Sequence, residues 1–157
     1  MSDSIAEYYN TYGKKVYLFL VSMCGDSDTA EELTQETFYQ AIKNLKSYSG
    51  KSSVYTWLCG IAKNQWYKEL DRRKRHPVAE ADENKPSSEL SPAEAAELKS
   101  DALSLMKQIH ALPEQEKELI LLRATGELSF REIGEIFDKT ENWARVTYYR
   151  AKQKLKV

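Results

Sequence analysis

From His76 to about Ala96 the chain reads HPVAEADENKPSSELSPAEAA, with three of its four prolines, several acids and almost no large apolar side chain. Such a stretch buries too little apolar surface to offset the entropy of ordering it, so it reads as a flexible acidic linker. A chain of 157 residues is thereby cut into two small halves, each of which must build its own core. The expected organisation is a domain at 1–75, a linker at 76–96 and a domain at 97–157. Neither half shows strand-like alternation or a hairpin signal, and the fold class expected is all-α.

In the first half, Ile5, Tyr8, Tyr12, Val16, Phe19 and Met23 recur at helical spacing, and Gly25 follows as a helix stop. Asp28 and Glu31 have the spacing of a capping box for a second helix over about Thr29–Leu45. Its expected core stripe is Ala30, Leu33, Thr37, Phe38, Ala41, Ile42 and Leu45. Its other face carries Glu31, Glu32, Gln35, Glu36 and Tyr39, which reads either as a solvated surface or as a docking face for a basic partner. After the polar loop SYSGKSS, Val54 opens a third helix that runs to the arginines of LDRRKR. Val54, Leu58, Ile61, Gln65 and Leu70 are expected to point inward. Tyr55, Trp57, Lys63, Asn64, Trp66 and Tyr67 would crowd the remaining surface. Rings interleaved with cations suit single-stranded nucleic acid, because a base stacks on a ring while a cation holds its phosphate. Packing in the core is the competing use of the two tryptophans.

In the second half, Leu98, Ala102, Leu105, Ile109 and Leu112 mark one helix. Pro113 opens the next, in which Leu119, Ile120 and Leu122 continue the core and Gly126 is the stop. Ser129, with Glu132 three residues on, is a capping box for a short helix with Phe130, Ile133, Ile136 and Phe137 on one stripe. Asp138-Lys139-Thr140 breaks that pattern, and Thr140 caps a last helix. There Ala144, Tyr148, Ala151 and Leu155 share one face, while Asn142, Arg145, Val146, Tyr149 and Gln153 lie nearly opposite. Helix, tight turn and basic helix with a small apolar inner face are what a helix-turn-helix requires, its last helix lying in the major groove. The competing reading is a solvated helix ending a bundle.

The net charge of −1 conceals strong segregation. Lys63, Lys68, Arg72, Arg73, Lys74 and Arg75 form one basic cluster; Arg145, Arg150, Lys152, Lys154 and Lys156 form another. The acids of the linker lie between them. Local field, not total charge, decides whether a phosphate is attracted, so two basic surfaces point to two contacts with one extended polyanion. No apolar run is long enough to span a membrane, and MSDSIAEYYN lacks the regions of a signal peptide, so a cytoplasmic protein is expected. Cys24 and Cys59 then read as free thiols. With only His76 and His110 beside them, no metal-ligand spacing exists, and neither metal nor cofactor is expected. No nucleophile–base pair or phosphate loop suggests an enzyme.

Three stretches in order resemble one family, the bacterial extracytoplasmic-function (group IV) sigma factors of the sigma-70 family. AEELTQETFYQAIKNL resembles the segment that docks on the clamp helices of RNA polymerase. YSGKSSVYTWLCGIAKNQWYKELDRRKR, with TWL-x-x-IA-x-N at Thr56 to Asn64, resembles the segment that opens the promoter −10 element. LPEQEKELILLRATGELSFREIGEIF followed by RAKQKL resembles the domain that reads the −35 element.

The resemblance implies a non-enzymatic promoter-specificity subunit. Glu31, Glu32, Gln35, Glu36 and Tyr39 would meet the polymerase core, whose flap would hold the second domain. Tyr48, Ser49, Gly50, Lys51, Ser52 and Ser53 would shape a pocket for a flipped −10 base, with Asn64 in reach and Tyr55 and Trp57 beside it. Lys63, Lys68, Arg72 and Arg73 would hold the backbone. Arg131, Asn142, Trp143, Arg145, Val146, Tyr149 and Arg150 would contact the −35 duplex. Trp143 and Val146 depart from the family's pattern, so no −35 sequence transfers. An anti-sigma protein, often membrane-anchored in the family, is an implied partner. The rival reading is a stand-alone helix-turn-helix regulator.

Overall fold

A computed structural model of the protein describes residues 2–76 and 100–155, and the side chains of residues 5–76 and 102–155. The expected linker lies outside the described residues except for His76, as do Glu97 and Leu98. Among the described residues there are seven α-helices and no strand. The chain divides into two compact units, Met1–Ser87 and Ser88–Val157.

The first unit packs three helices against one another: α1 (Ser2–Cys24), α2 (Ser27–Lys43) and α3 (Val54–Arg75). Val16, Phe19, Leu20 and Met23 of α1, Leu33, Phe38 and Ala41 of α2, and Leu58, Cys59, Ala62 and Trp66 of α3 make the core. Side chains the size of Phe19 or Leu58, both fully buried, each contribute about 1.5–3 kcal/mol on leaving water. Thr34 and Thr37 are buried on α2 because their hydroxyls donate to the carbonyls of Ala30 and Leu33, at 2.7 Å each.

Several expectations shift here. The cap of α2 is Asp26, not Asp28: its carboxylate accepts from the amides of Asp28 and Thr29 and from the Thr29 hydroxyl. The helix ends at Lys43, and a 3-10 turn, Leu45–Ser47, follows. Ile42 is 56% exposed and Leu45 half-buried, while Ala41, next to Ile42 in the last turn, is the residue turned fully inward. In α3 the buried face runs through Tyr55, Cys59, Ala62 and Trp66 with Leu58 and Gln65. Val54, Ile61 and Leu70 are half-buried. A helix packed on two neighbours buries a wider stripe than one spacing rule anticipates.

Among the described residues of the second unit, α4 (Ser100–His110) packs on α5 (Glu114–Gly126); α6 (Phe130–Phe137) and α7 (Glu141–Gln153) follow. Leu119, Ile120 and Leu122 are buried as expected, with Leu121, Leu128, Ile133 and Phe137. Ala102, expected inward, is exposed, and so are Leu103 and Met106; among the described side chains of α4, Ile109 is buried. Lys117 and Glu118 are buried on α5, which spacing of apolar residues could not reveal. The left-handed residue that terminates α5 is Glu127 at φ +55°, one position after the expected glycine.

Between α6 and α7 the chain turns through Asp138 at φ +57°. The turn folds back so tightly that a Cβ placed on Gly134 would stand 2.8 Å from the carbonyl oxygens of both Lys139 and Thr140. Only glycine permits this approach. We expect Gly134→Ala to destabilise the second unit by about 1–3 kcal/mol, as overpacking does. Glu127→Gly should instead stabilise it, by no more than the roughly 1–2 kcal/mol cost of a left-handed L-residue. Thermal melts followed by circular dichroism would check the opposite signs.

Candidate nucleic-acid and partner interfaces

On α2, burial of Leu33, Thr37 and Ala41 turns Glu31, Glu32 and Gln35 fully outward. Tyr39 is 54% exposed beneath the ammonium of Lys43, and Glu36 is half-buried, accepting from the Gln40 amide at 2.7 Å. The face is continuous with a groove of about 480 Å³ between α1 and α2, lined by Tyr9, Asn10, Gly13, Lys14, Tyr17 and Thr34 as well as Glu31 and Gln35. All five side chains read as a docking surface therefore share one side of one helix.

The loop before α3 is held by its own side chains. The Tyr48 ring stacks on Trp57 at 4.8 Å between centroids, and its hydroxyl donates to the Ser52 carbonyl. Gly50 takes φ +80°, and the Lys51 amide donates to the Ser49 hydroxyl at 3.4 Å. Ser53 caps α3: its hydroxyl accepts from the Thr56 amide at 3.1 Å and donates to the Thr56 hydroxyl. Ser49, Gly50, Lys51 and Ser53 are exposed, and Trp57 is half-buried beside them. Asn64 and Lys68 are exposed further along α3, and Lys63 lies 4.5 Å over the Tyr67 ring.

Tyr55 is a correction. It is 6% exposed, stacks on Tyr12 and lies beneath the Lys15 ammonium, so its ring is part of the core and offers no face to a base. Burial pushes its phenol far above the ordinary range, which keeps it neutral. Trp66 is likewise a core residue, with the Arg73 guanidinium over its ring at 5.5 Å. Burial also raises the Cys24 thiol, and a protonated thiol is a poor nucleophile.

Arg72 and Arg73 converge on one acid. The Glu69 carboxylate accepts from Arg72 Nε and Nη2 at 3.0 and 2.7 Å and from Arg73 Nε at 2.7 Å. Spacing of like charges had marked the arginines but not the acid among them.

In the second unit, Ala144 and Ala151 are fully buried, which seats α7 on its neighbours. Asn142, Val146, Tyr149 and Arg150 face outward, with Val146 43% and Tyr149 50% exposed. Arg131 is exposed on α6. Arg145 is half-exposed and pairs with Glu141 at 2.7 Å. Trp143 packs on Phe137 at 5.4 Å, filling the angle between α6 and α7 while remaining half-exposed. Sequence reasoning missed Arg123. Its guanidinium lies 4.0 Å from the Phe130 ring centroid and donates to the Leu128 carbonyl, which fixes the start of α6. Among the described residues no cluster of acids, histidines and cysteines could hold a metal, and no helix is long and apolar enough to cross a membrane.

A basic helix seated through two alanines behind a tight turn defines a helix-turn-helix, here on the same chain as a three-helix unit with an acidic face. Comparisons agree with both halves. Residues 8–76 match the family model of Sigma-70 region 2, and residues 102–155 that of Sigma-70 region 4. The ECF RNA polymerase sigma factor SigM of Bacillus subtilis is 31% identical over 98% of this chain and 93% of its own length. The RNA polymerase sigma factor YlaC of the same organism is 28% identical over 98% and 91%. The sigma factor RpoE of Bartonella quintana, solved in complex with the anti-sigma factor NepR, shares the fold with a TM-score of 0.74, at 22% identity over 96% of this chain and 93% of that one. The chain belongs to the extracytoplasmic-function sigma factors of the sigma-70 family. Its role is that of an RNA polymerase sigma factor, not of a stand-alone regulator.

The two arginines draw the Glu69 carboxyl below the ordinary glutamate range, Arg72 most strongly. A depressed value means that the folded state gains from the ionised acid above the unfolded value of about 4.3 and loses that gain as pH falls through the lower folded value. Carboxyl-resolved NMR titration should place the Glu69 midpoint below the ordinary glutamate value of about 4.3; a midpoint at or above it would refute the pairing.

Proposed function

We propose that residues 1–75 dock on polymerase core and open the −10 element, while residues 97–157 read the −35 element and meet the flap. The observation that carries this reading is the division of the first unit. Glu31, Glu32, Gln35 and Tyr39 project from α2, whereas the loop at 48–53, Trp57, Asn64 and Lys68 belong to the loop before α3 and to α3 itself. Basic clamp helices and DNA can therefore be held together. On the core-facing side, charge complementarity supplies attraction and orientation. On the DNA side, the stacked Tyr48 and Trp57 build one wall of a pocket for an extruded base, whose capture keeps it from re-pairing. Lys63 and Lys68 meet phosphates, a sequence-blind contribution, and the arginines of α3 line the same path while paired to acids of their own helix. On α7, Asn142, Val146, Tyr149 and Arg150 face the groove, with Trp143 acting through the turn it packs against.

Tethering both readers to one core gives each a high effective concentration, so each binds weakly alone. The protein has no catalysis of its own, acts in the cytoplasm, and is held inactive by an anti-sigma protein that covers the same surfaces.

Two measurements test the assignment. Glu36→Lys reverses charge on the docking face and should weaken core binding by at least about tenfold, roughly 1.4 kcal/mol. Glu7→Lys, exposed on α1, should not. Undiminished core binding by the first variant would sink the docking face. In run-off transcription on randomised promoters, the protein should select −10 and −35 elements only with core present; tight promoter selection by the free chain would overturn the scheme.

A further inference from the structure

The last turns of α3 carry Lys68, Arg72, Arg73, Lys74 and Arg75, but their cationic charge is not all available. Glu69 holds both Arg72 and Arg73, and Asp71 pairs with Arg75 at 3.4 Å. The geometry around Glu69 is unequal. Its side chain is 15% exposed, whereas those of Arg72 and Arg73 are 56% and 42% exposed. The acid thus sits beneath two guanidinium groups that lie at the surface. Arg72 offers it the bidentate edge that a phosphate would use, and Arg73 presents its Nε. Arg73 is fixed further: its Nη2 donates to the Thr29 hydroxyl at 3.4 Å, and its guanidinium carbon lies 5.5 Å from the Trp66 ring centroid. Lys68 and Lys74 make no ion pair among the described residues.

From this we infer that Glu69 is an affinity-limiting residue: a resident carboxylate that competes with DNA phosphates for Arg72 and Arg73 and so limits sequence-blind binding. The inference rests on the reading that α3 faces promoter DNA. A guanidinium already neutralised by a carboxylate must give up that pair before it takes a phosphate. The exchange is close to even, so it adds little affinity for any sequence. The affinity that remains comes from groups with no competing acid, Lys68 among them, and from contacts to bases. Specificity is a difference of affinities, in which a sequence-blind term cancels, so Glu69 lowers the affinity for promoter and other DNA alike and leaves their ratio nearly unchanged.

The test is salt dependence of DNA binding by polymerase core loaded with the full chain, on promoter and on non-promoter DNA. Glu69→Gln keeps the shape and removes the competing charge. It should tighten binding to both DNAs by about three- to tenfold at roughly 0.1 M salt, leave the promoter to non-promoter ratio nearly unchanged, and steepen the logarithmic salt slope by about 0.7–1.4, one or two phosphate contacts on single strands. Adding Arg72→Ala to Glu69→Gln should remove much of that gain, while Arg72→Ala alone should change the slope little. Glu69→Asp, too short to span both arginines, should give an intermediate slope.

Weaker binding or an unchanged slope with Glu69→Gln would show that the carboxylate only positions the arginines, and the proposal would fall. Lys68→Ala separates that failure from failure of the underlying reading. If it lowers the wild-type slope, α3 meets DNA and only the role of Glu69 is wrong. If it leaves the slope unchanged, α3 does not meet DNA, and both fall.

Discussion

Every helix with a candidate contact surface in this chain is held by the face opposite that surface. For α7 the holding face is two fully buried alanines, Ala144 and Ala151, brought close because the turn at Asp138 folds its carbonyls over Gly134. Small residues at a helix contact let the backbones approach, and the longer side chains on the other side are then free to project. For α2 the holding face is Ala30, Leu33, Thr37 and Ala41, with the threonine hydroxyls returned to the helix's own carbonyls. Without that seating neither the acidic face of α2 nor the groove-facing set of α7 would have a defined direction.

Positioning within each unit is done by aromatic and ionic contacts at the helix ends. Tyr48 on Trp57 shapes the loop before α3, Arg123 on Phe130 sets the entry of α6, and Trp143 on Phe137 wedges its exit. Lys154 reaches back to Glu116 at 2.9 Å and ties the end of α7 to α5. The last of these is a surface pair of modest energy, more useful for orientation than for stability. The stacks are stronger because they also bury area, each adding about 0.5–1.5 kcal/mol beyond that burial.

What was legible in the sequence followed from local rules. Ser129 and Thr140 cap the helices their spacing announced, because an N-cap bond spans only three residues. The inner alanines and outward Asn142, Val146, Tyr149 and Arg150 of α7 follow from 3.6-residue periodicity on a helix packed along one side. On α3 the same rule fell short. Packed against both α1 and α2, that helix buries Tyr55 and Trp66, whose polar and aromatic character had suggested an open surface.

The sequence by itself determined the all-α class, the three family segments in their order, and the acidic and basic stretches. These depend on residue type and short spacing, which survive without coordinates. Tertiary structure decided which members of those stretches are available. It withdrew Tyr55 into the core, set Glu69 beneath two arginines, and turned Ile42 out to solvent. The physical reason is that burial and ion pairing are properties of neighbouring surfaces, and a helix does not carry in its own sequence how many neighbours will cover it.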